Sequence, residues 1–138
     1  MTAPPSNEMF FAVSQPSDNA PVVCGARQML AEMGFDETKS FLIATAVSEL
    51  ATNIIRYAET GTITLRDVDG GDRRAFVVIA KDLGPGIADI KKALQEHYSS
   101  GQGLGLGLSS VKRIMDEFDI QSEPGKGTHI TAIKWIDK

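Results

Sequence analysis

The sequence GTITLRDVDGGDRRAFVVIAKDLGPG spans residues 61–86, and its hydrophobic pattern has the period of β-strands. Apolar and polar side chains alternate over residues 61–68, as they do in a strand with one buried face. The segment 69–72, Asp-Gly-Gly-Asp, predicts a tight turn, because glycine readily adopts the positive φ angles of hairpin turns. Residues 75–80 are almost wholly apolar, which is typical of a strand buried on both faces. The stretch therefore predicts an antiparallel β-hairpin.

Two helices are predicted before this hairpin. The first begins in the turn cluster 15–19 and ends at Gly34, because glycine favours the left-handed conformation that follows many helices. Asp36 is placed to cap the second helix. The predicted buried side of the second helix consists of Phe41, Ala44, Val47, Leu50, Ala51, Ile54 and Ile55.

The remaining segments complete a sheet with helices packed against it. Residues 9–13 predict an edge strand after a flexible tail over 1–8, and residues 118–122 and 129–136 predict a closing hairpin. A third helix has a predicted buried side of Leu108, Val111, Met115 and Phe118. The expected fold is α+β: a two-layer α/β sandwich with three main helices on one face of a mixed, mostly antiparallel sheet, in a single domain over 1–138.

Composition excludes several classes of function. The chain has 138 residues, and 14 Lys and Arg stand against 18 Asp and Glu for a net charge of −4. Like charges are not clustered, so neither nucleic acid nor a membrane surface is an expected partner. The longest apolar run, 75–80, is too short to span a bilayer. A single cysteine, Cys24, and the lack of Lys or Arg before Arg27 favour a cytoplasmic location without a secretion signal.

Glu49 and Asn53 form the first pair of candidate functional residues. Their spacing of four places both side chains on one face of the second helix, one turn apart. A carboxylate can accept a proton, and an amide oxygen can bind a hard cation such as Mg²⁺. Taken alone, the pair is much better explained as part of a solvated helix face, since most helices carry such pairs, so it predicts little by itself.

The second candidate is the loop 82–86, Asp-Leu-Gly-Pro-Gly, at the end of the apolar strand. Asp82 can accept a hydrogen bond from an amino group of a ligand, and Gly84 and Gly86 allow close approach to the backbone. The alternative is an ordinary turn, since Asp, Gly and Pro are what turns contain.

A glycine-rich run over 101–107, Gly-Gln-Gly-Leu-Gly-Leu-Gly, leads into the third helix. Exposed backbone N–H groups at such a helix start suit phosphate, and the intervening leucines argue against a solvated linker. The run matches neither a P-loop nor a Rossmann fingerprint, because the Lys-Ser/Thr pair and the βαβ context are missing. The pair Gly127-Thr128 offers a hydroxyl before the last strand, although, taken alone, an ordinary hairpin glycine with a strand-favouring threonine explains it better.

Taken together and in this order, the four motifs resemble the ATP-site boxes of the Bergerat-fold (GHKL) superfamily. Within that superfamily the chain is similar to the anti-sigma-factor serine/threonine kinases of bacterial partner-switching systems, above all to the RsbT-type kinases of stressosomes. The stretches that carry the resemblance are 47–54, 86–87, 98–108, 113–118 and 122–128. The resemblance extends from about Asp18 to Trp135.

The resemblance implies a role for each motif. Glu49 would be the general base for the attacking hydroxyl, Asn53 would bind Mg²⁺, and Asp82 would accept from the adenine amino group with help from Thr128. The segment 87–100 would be a lid over ATP. The remaining implied nucleotide-binding residues are Gly84, Gly86, Ile87, Gly101, Gly103, Leu104, Gly105, Leu106 and Gly107.

The resemblance also implies a reaction and partners. The expected activity is ATP-dependent phosphorylation of a STAS-domain antagonist or scaffold protein, with a sigma factor or a PP2C-type phosphatase regulated downstream. One alternative is an ATP-dependent protein that sequesters a partner with slow or no phosphotransfer, and another is a module that binds partners without nucleotide. A histidine kinase is not expected, because His97 and His129 lie in the lid and in a strand rather than on a dimerising helix.

Overall fold

The computed structural model describes residues 7–87 and 107–137. Over these residues the predicted order of elements is confirmed, as a two-layer α+β fold. The strands are β1 (Asn7–Val13), β2 (Gly61–Asp69), β3 (Arg73–Asp82), β4 (Glu117–Glu123) and β5 (Gly127–Asp137). The helices are α1 (Asn19–Met33), α2 (Glu37–Asn53) and α3 (Leu108–Ile114), with a 3₁₀ turn at Pro16–Asp18 and a π-helical turn at Ile54–Ala58.

The five described strands form one sheet in the order β1-β2-β3-β5-β4, and all four pairings are antiparallel. The predicted mixed sheet is therefore wrong for the described strands. The register pairs Asp82 with both Gly61 and Thr128. The end of β3 thus lies between the starts of β2 and β5, which brings the second and fourth sequence motifs together. Since β1 begins at Asn7, the predicted tail over 1–8 overlaps this edge strand.

The predicted end of α1 and the predicted start of α2 are confirmed by their caps. Gly34 adopts a left-handed φ of 96° after α1, where a residue with a side chain would be strained. The Asp36 side chain accepts a hydrogen bond of 2.8 Å from the Lys39 backbone N–H at the start of α2. The two helices consequently pack as an antiparallel pair over one face of the sheet.

Three predictions about burial are wrong. Phe41 is 68% exposed, while Ile43 and Ala46 are buried in its place, because α2 packs against α1 and the sheet along a different arc from the one predicted. β3 is not buried on both faces: Val77 and Ile79 face away from the helices and are half-buried. Phe118 lies in β4, because α3 ends at Ile114.

The face of the sheet opposite the helices carries Trp135, near the end of β5. Its indole N–H donates a hydrogen bond to a carboxylate oxygen of Glu117, and the Arg73 guanidinium carbon lies 4.1 Å from the ring centroid. This cation–π contact ties the end of β5 to the start of β3. No helix among residues 7–87 and 107–137 has the length and apolar character needed to cross a bilayer.

Candidate functional site

One cavity lies where the end of α2, the π-helical turn, the loop after β3 and the start of β5 meet. Its lining includes five of the predicted site residues, Asn53, Asp82, Gly86, Ile87 and Thr128. The other lining residues are Leu50, Ile54, Tyr57, Ala58, Ala80, Pro85, Leu108 and Ile130. The site is mostly apolar with a few convergent polar groups, as is typical of pockets for small molecules.

Asp82 is the last residue of β3 and is partly buried beside the cavity. Its Oδ1 atom accepts a hydrogen bond of 2.9 Å from the Gly84 backbone N–H, so one carboxylate oxygen holds the loop in place. A carboxylate has a second acceptor oxygen, which suits an amino group on a ligand in the cavity. The predicted position of Asp82 is therefore consistent with a role in binding a purine.

Thr128 lines the cavity and belongs to a hydrogen-bonded group around Ser122 that the sequence did not reveal. Ser122 Oγ accepts from the Ile87 N–H at 2.8 Å, contacts the Gly127 carbonyl oxygen at 3.0 Å, and lies 2.8 Å from Thr128 Oγ1. A serine hydroxyl has one proton, so when Ser122 donates to Gly127 the Thr128 hydroxyl donates to Ser122. Thr128 then presents acceptor lone pairs, and in the other arrangement it can donate a proton to a ligand. Ser122 has no motif spacing of its own, which is why it was missed.

Gly84, Gly86 and Gly127 are required by the packing of the chain against itself. A Cβ at Gly84 would lie 2.6 Å from Ala58 Cα, and one at Gly86 would lie 2.1 Å from the Glu123 carbonyl oxygen. Gly86 and Gly127 also have positive φ angles, of 77° and 84°. These glycines therefore let the loops around the cavity pack closely, and the predicted approach of a nucleotide to Gly84 and Gly86 stays a prediction.

Glu49 lies outside the lining of this cavity, one turn before Asn53 on α2. Its side chain is half-buried and packs against Gly107, which precedes α3 with a φ of 71°. A Cβ at Gly107 would lie 2.2 Å from Glu49 Oε2, so only glycine leaves room for the carboxylate. Glu49 and Gly107 are thus in contact, and Asn53 lies one turn further along α2. Gly101, Gly103, Leu104, Gly105 and Leu106, and the lid beyond Ile87, lie outside the described residues.

Tyr57 is a further polar residue of the cavity that sequence reasoning missed. The π-helical turn Ile54–Ala58 directs its side chain into the lining, and the hydroxyl oxygen is buried without a hydrogen-bond partner among the described residues. Buried polar groups in native proteins are nearly always paired. The orphan hydroxyl is consistent with a ligand that carries a hydrogen-bonding group. A helical period does not predict a π-turn, which widens the helix by one residue.

The side chains of the site are better suited to a nucleotide with a bound metal ion than to a metal ion alone. Residues 7–87 and 107–137 contain no group of three or more His, Cys, Asp and Glu side chains that could hold a metal ion. Asn53 already has an interaction partner, and its amide oxygen could contribute one ligand to Mg²⁺. Phosphate oxygens and water would have to supply the others, as they commonly do for Mg²⁺ in phosphoryl-transfer sites.

The fold and this cavity define an ATP-binding domain of known type: residues 13–134 match the histidine kinase-like ATPase domain family, and the chain belongs to it. The use of ATP follows from this membership.

Among named relatives, the chain is 46% identical over 110 residues to the serine/threonine-protein kinase RsbT of Bacillus subtilis, covering 80% of this chain and 83% of RsbT. It is 37% identical over 100 residues to the anti-sigma F factor of a Thermoanaerobacter species, covering 68% of each chain.

Two solved structures share the fold at low sequence identity. A Mycobacterium tuberculosis protein with RsbU and RsbW domains superposes with a TM-score of 0.63 at 19% identity, over 94% of this chain and 32% of that one. A chain of the SiaB–SiaC complex of Pseudomonas aeruginosa superposes with a TM-score of 0.60 at 14% identity, over 93% and 89% of the two chains. Both support the fold that the sequence predicts.

Proposed function

We propose that this protein is an ATP-dependent serine/threonine kinase of a partner-switching stress-signalling system. The observation that carries the proposal is the placement of Asn53, Asp82 and Thr128 around one cavity, with Glu49 one helical turn from Asn53 at its side. The 46% identity to a serine/threonine-protein kinase supports the same reaction.

ATP is proposed to bind with its adenine against Asp82 and Thr128. The Asp82 carboxylate accepts from the exocyclic amino group, which adenine has and hypoxanthine lacks. Thr128 contributes either a donor or an acceptor, because either hydroxyl can donate the hydrogen bond between Thr128 and Ser122. The apolar lining, with Ile54, Ala80 and Ile130, covers the faces of the base.

The phosphates are proposed to extend toward Asn53 and Gly107. The hydroxyl oxygen of a serine or threonine on the substrate protein forms a bond to the γ-phosphorus, and the bond from that phosphorus to the β,γ-bridging oxygen breaks to leave ADP. Glu49 accepts the proton that the hydroxyl loses. When bound by Asn53 and the phosphates, Mg²⁺ neutralises phosphate charge.

The proposed substrate is a STAS-domain antagonist or scaffold protein in the cytoplasm. Its phosphorylation would regulate a downstream sigma factor or a PP2C-type phosphatase. Protein partners are consistent with the SiaB–SiaC complex, in which a chain of this fold was solved together with another protein. Glu49 is half-buried rather than enclosed, which is compatible with a substrate side chain approaching it.

A second candidate function is favoured by the anti-sigma F factor relatives at 37% identity and below. In that case the ATP-bound protein sequesters a partner, and phosphotransfer is slow or secondary. The greater identity to RsbT favours the kinase. The two functions differ in what they require of Glu49, because a binding switch needs no general base.

The test is transfer of labelled phosphate from Mg·ATP to the STAS-domain proteins encoded in the same genome, each assayed separately. We expect Glu49→Gln to lower the transfer rate by about 100-fold or more, as loss of a general base does. ADP affinity should stay within about twofold, since Glu49 lies outside the cavity lining. Glu32→Gln, an exposed carboxylate on α1, is the matched control. Full transfer by Glu49→Gln would contradict the proposal.

A further inference from the structure

A hydrogen-bonded group joins the start of α1 to the turn of α2 that carries Glu49 and Asn53. The Asn19 side-chain amide Nδ2 donates to Thr52 Oγ1 at 3.0 Å and makes a longer contact of 3.5 Å with the Ser48 carbonyl oxygen. Ser48 Oγ donates in turn to Asn19 Oδ1 at 3.2 Å. A carbonyl oxygen can only accept, so the amide nitrogen must face Ser48 O, which fixes the orientation of the Asn19 amide. All three contacts are partly buried.

The two partners of Asn19 immediately precede the two proposed functional residues. Ser48 and Thr52 are four apart and form one stripe of α2, and Glu49 and Asn53 form the neighbouring stripe about 100° around the helix. Holding one stripe by directional hydrogen bonds fixes the rotation of the helix, and with it the direction of the other stripe. Asn19 is not among the residues that line the cavity, and the hydrogen bonds of its side chain go to Ser48 and Thr52.

The turn held by Asn19 borders a change of helix type. α2 ends at Asn53, and the chain continues as a π-helical turn over Ile54–Ala58, in which hydrogen bonds span five residues instead of four. A shift of this wider turn toward the N-terminus would break the four-residue spacing that places Glu49 and Asn53 one above the other. The Asn19 amide bridges Ser48 and Thr52. It therefore opposes a shift of the π-helical turn into the part of α2 that carries Glu49 and Asn53.

Apolar packing alone would hold the two helices together without fixing this turn. Both helices carry buried apolar side chains, such as Met29 and Leu30 of α1 and Val47 of α2. Apolar contacts are non-directional, so they tolerate small rotations that hydrogen bonds of fixed length do not. The hydrogen bonds of Asn19 are therefore suited to fixing the orientation of this turn of α2, whereas the apolar contacts hold the two helices together.

We propose that Asn19 is a positioning residue, which acts through Ser48 and Thr52 to hold Glu49 and Asn53 in the geometry for phosphoryl transfer. The inference rests on the proposed role of Glu49. Displacement of a reacting group by about 1 Å can cost a large factor in rate, so loss of the amide should lower turnover without emptying the nucleotide site.

The first test is the basal hydrolysis of Mg·ATP, in which water takes the place of the substrate hydroxyl and no partner protein is needed. We expect Asn19→Ala to lower kcat about 10-fold with KM for ATP within about twofold. Thr52→Val should have a similar effect, and the Asn19→Ala/Thr52→Val double variant should be no slower than Asn19→Ala, because both remove the same contact. Gln28→Ala is the matched control, since this α1 amide is exposed and its hydrogen bond within the described residues goes to Glu32 in its own helix.

The second test is amide hydrogen exchange in the nucleotide-free chain. Asn19→Ala should speed exchange selectively at residues 48–53, whereas Gln28→Ala should leave that turn unchanged. A merely structural role for Asn19 would lower the melting temperature and speed exchange over α1 and α2 alike, with kcat unchanged, and this result would overturn the inference.

Failure of the proposed function can be told apart from failure of this inference. If Glu49→Gln hydrolyses ATP at the wild-type rate, Glu49 is not the base and the proposed function fails. Selective exchange at 48–53 would then still support the role of Asn19 in fixing the turn, and uniform exchange would refute it. If Glu49→Gln is inactive and Asn19→Ala has the wild-type kcat, the function stands and the positioning role of Asn19 is wrong.

Discussion

At the residue level, the Asp82 carboxylate combines a structural and a proposed recognition role. Its Oδ1 holds the Gly84 N–H at 2.9 Å, which leaves the other oxygen for a ligand. Substitution by asparagine can keep the first contact through its carbonyl oxygen and turns an NH₂ group toward the ligand. The two roles can therefore be separated experimentally.

We predict that Asp82→Asn weakens adenine nucleotide binding at least about 10-fold, or about 1.4 kcal/mol, because a donor replaces the acceptor for the adenine amino group. Isothermal titration with Mg·ADP measures the change. Asp72→Asn is the control, since Asp72 is an exposed residue in the hairpin turn at the other end of β3. Equal affinities of Asp82→Asn and the wild-type chain would refute the adenine assignment.

Tyr57 gives a prediction in which two measurements change in opposite directions. A buried hydroxyl without a partner costs about 1–3 kcal/mol, so Tyr57→Phe should raise the melting temperature of the nucleotide-free protein by a few degrees. If a nucleotide pairs with this hydroxyl, the same variant should bind ADP about 3- to 10-fold more weakly. Thermal unfolding with and without ADP gives both values. An unchanged ADP affinity would show that the nucleotide does not pair with this hydroxyl.

At the level of elements, the glycines around the site are explained by contacts between loops. Gly127 packs with its Cα against the end of β3, where a Cβ would lie 2.1 Å from the Asp82 carbonyl oxygen. Gly125 has a similar φ of 80° in the same turn, but a Cβ there would have no neighbour within 4 Å. Comparing alanine substitutions at Gly125 and Gly127 therefore separates the free-energy cost of backbone strain from the cost of a steric clash.

We predict that Gly125→Ala lowers the free energy of unfolding by about 1–2 kcal/mol, the cost of a left-handed alanine. Gly127→Ala should lose a further 1–3 kcal/mol, roughly, because the end of β3 must also move away from the new methyl group. Urea denaturation compares the two variants. If both lose the same amount, the close approach of Gly127 to Asp82 does not contribute.

The elements were predictable from sequence to the extent that local patterns determine them. Alternation over 61–68 and the caps at Gly34 and Asp36 were sufficient for β2, α1 and α2. The exposure of Phe41 was not predictable, because the arc that α2 buries depends on how α1 packs against it. The same holds within the site: Glu49, Asn53 and Asp82 stand in motifs, whereas the hydrogen bonds of Ser122 join positions far apart in sequence.

At the level of the whole molecule, the cavity draws on residues from the α2 end, β3 and β5, so a ligand in it should stabilise the entire domain. A ligand at 100 times its Kd contributes about 2.7 kcal/mol, which corresponds to about 8 °C for a chain of this length. We predict such a shift in melting temperature with Mg·ADP and a much smaller one with Mg·GDP. Equal shifts with both nucleotides would mean that the base is not recognised.

The position of Trp135 has an optical consequence. It is the only tryptophan of the chain, and it stands on the face of the sheet away from the helices. Along β5 it lies five residues beyond Ile130, the last residue of that strand in the cavity lining, which corresponds to about 17 Å. Its fluorescence depends on the local contacts with Arg73 and Glu117. Emission should accordingly report the separation of β3, β4 and β5 during denaturation and remain constant when nucleotide binds. A spectral change on adding ADP would mean that the sheet itself bends when its far end is filled.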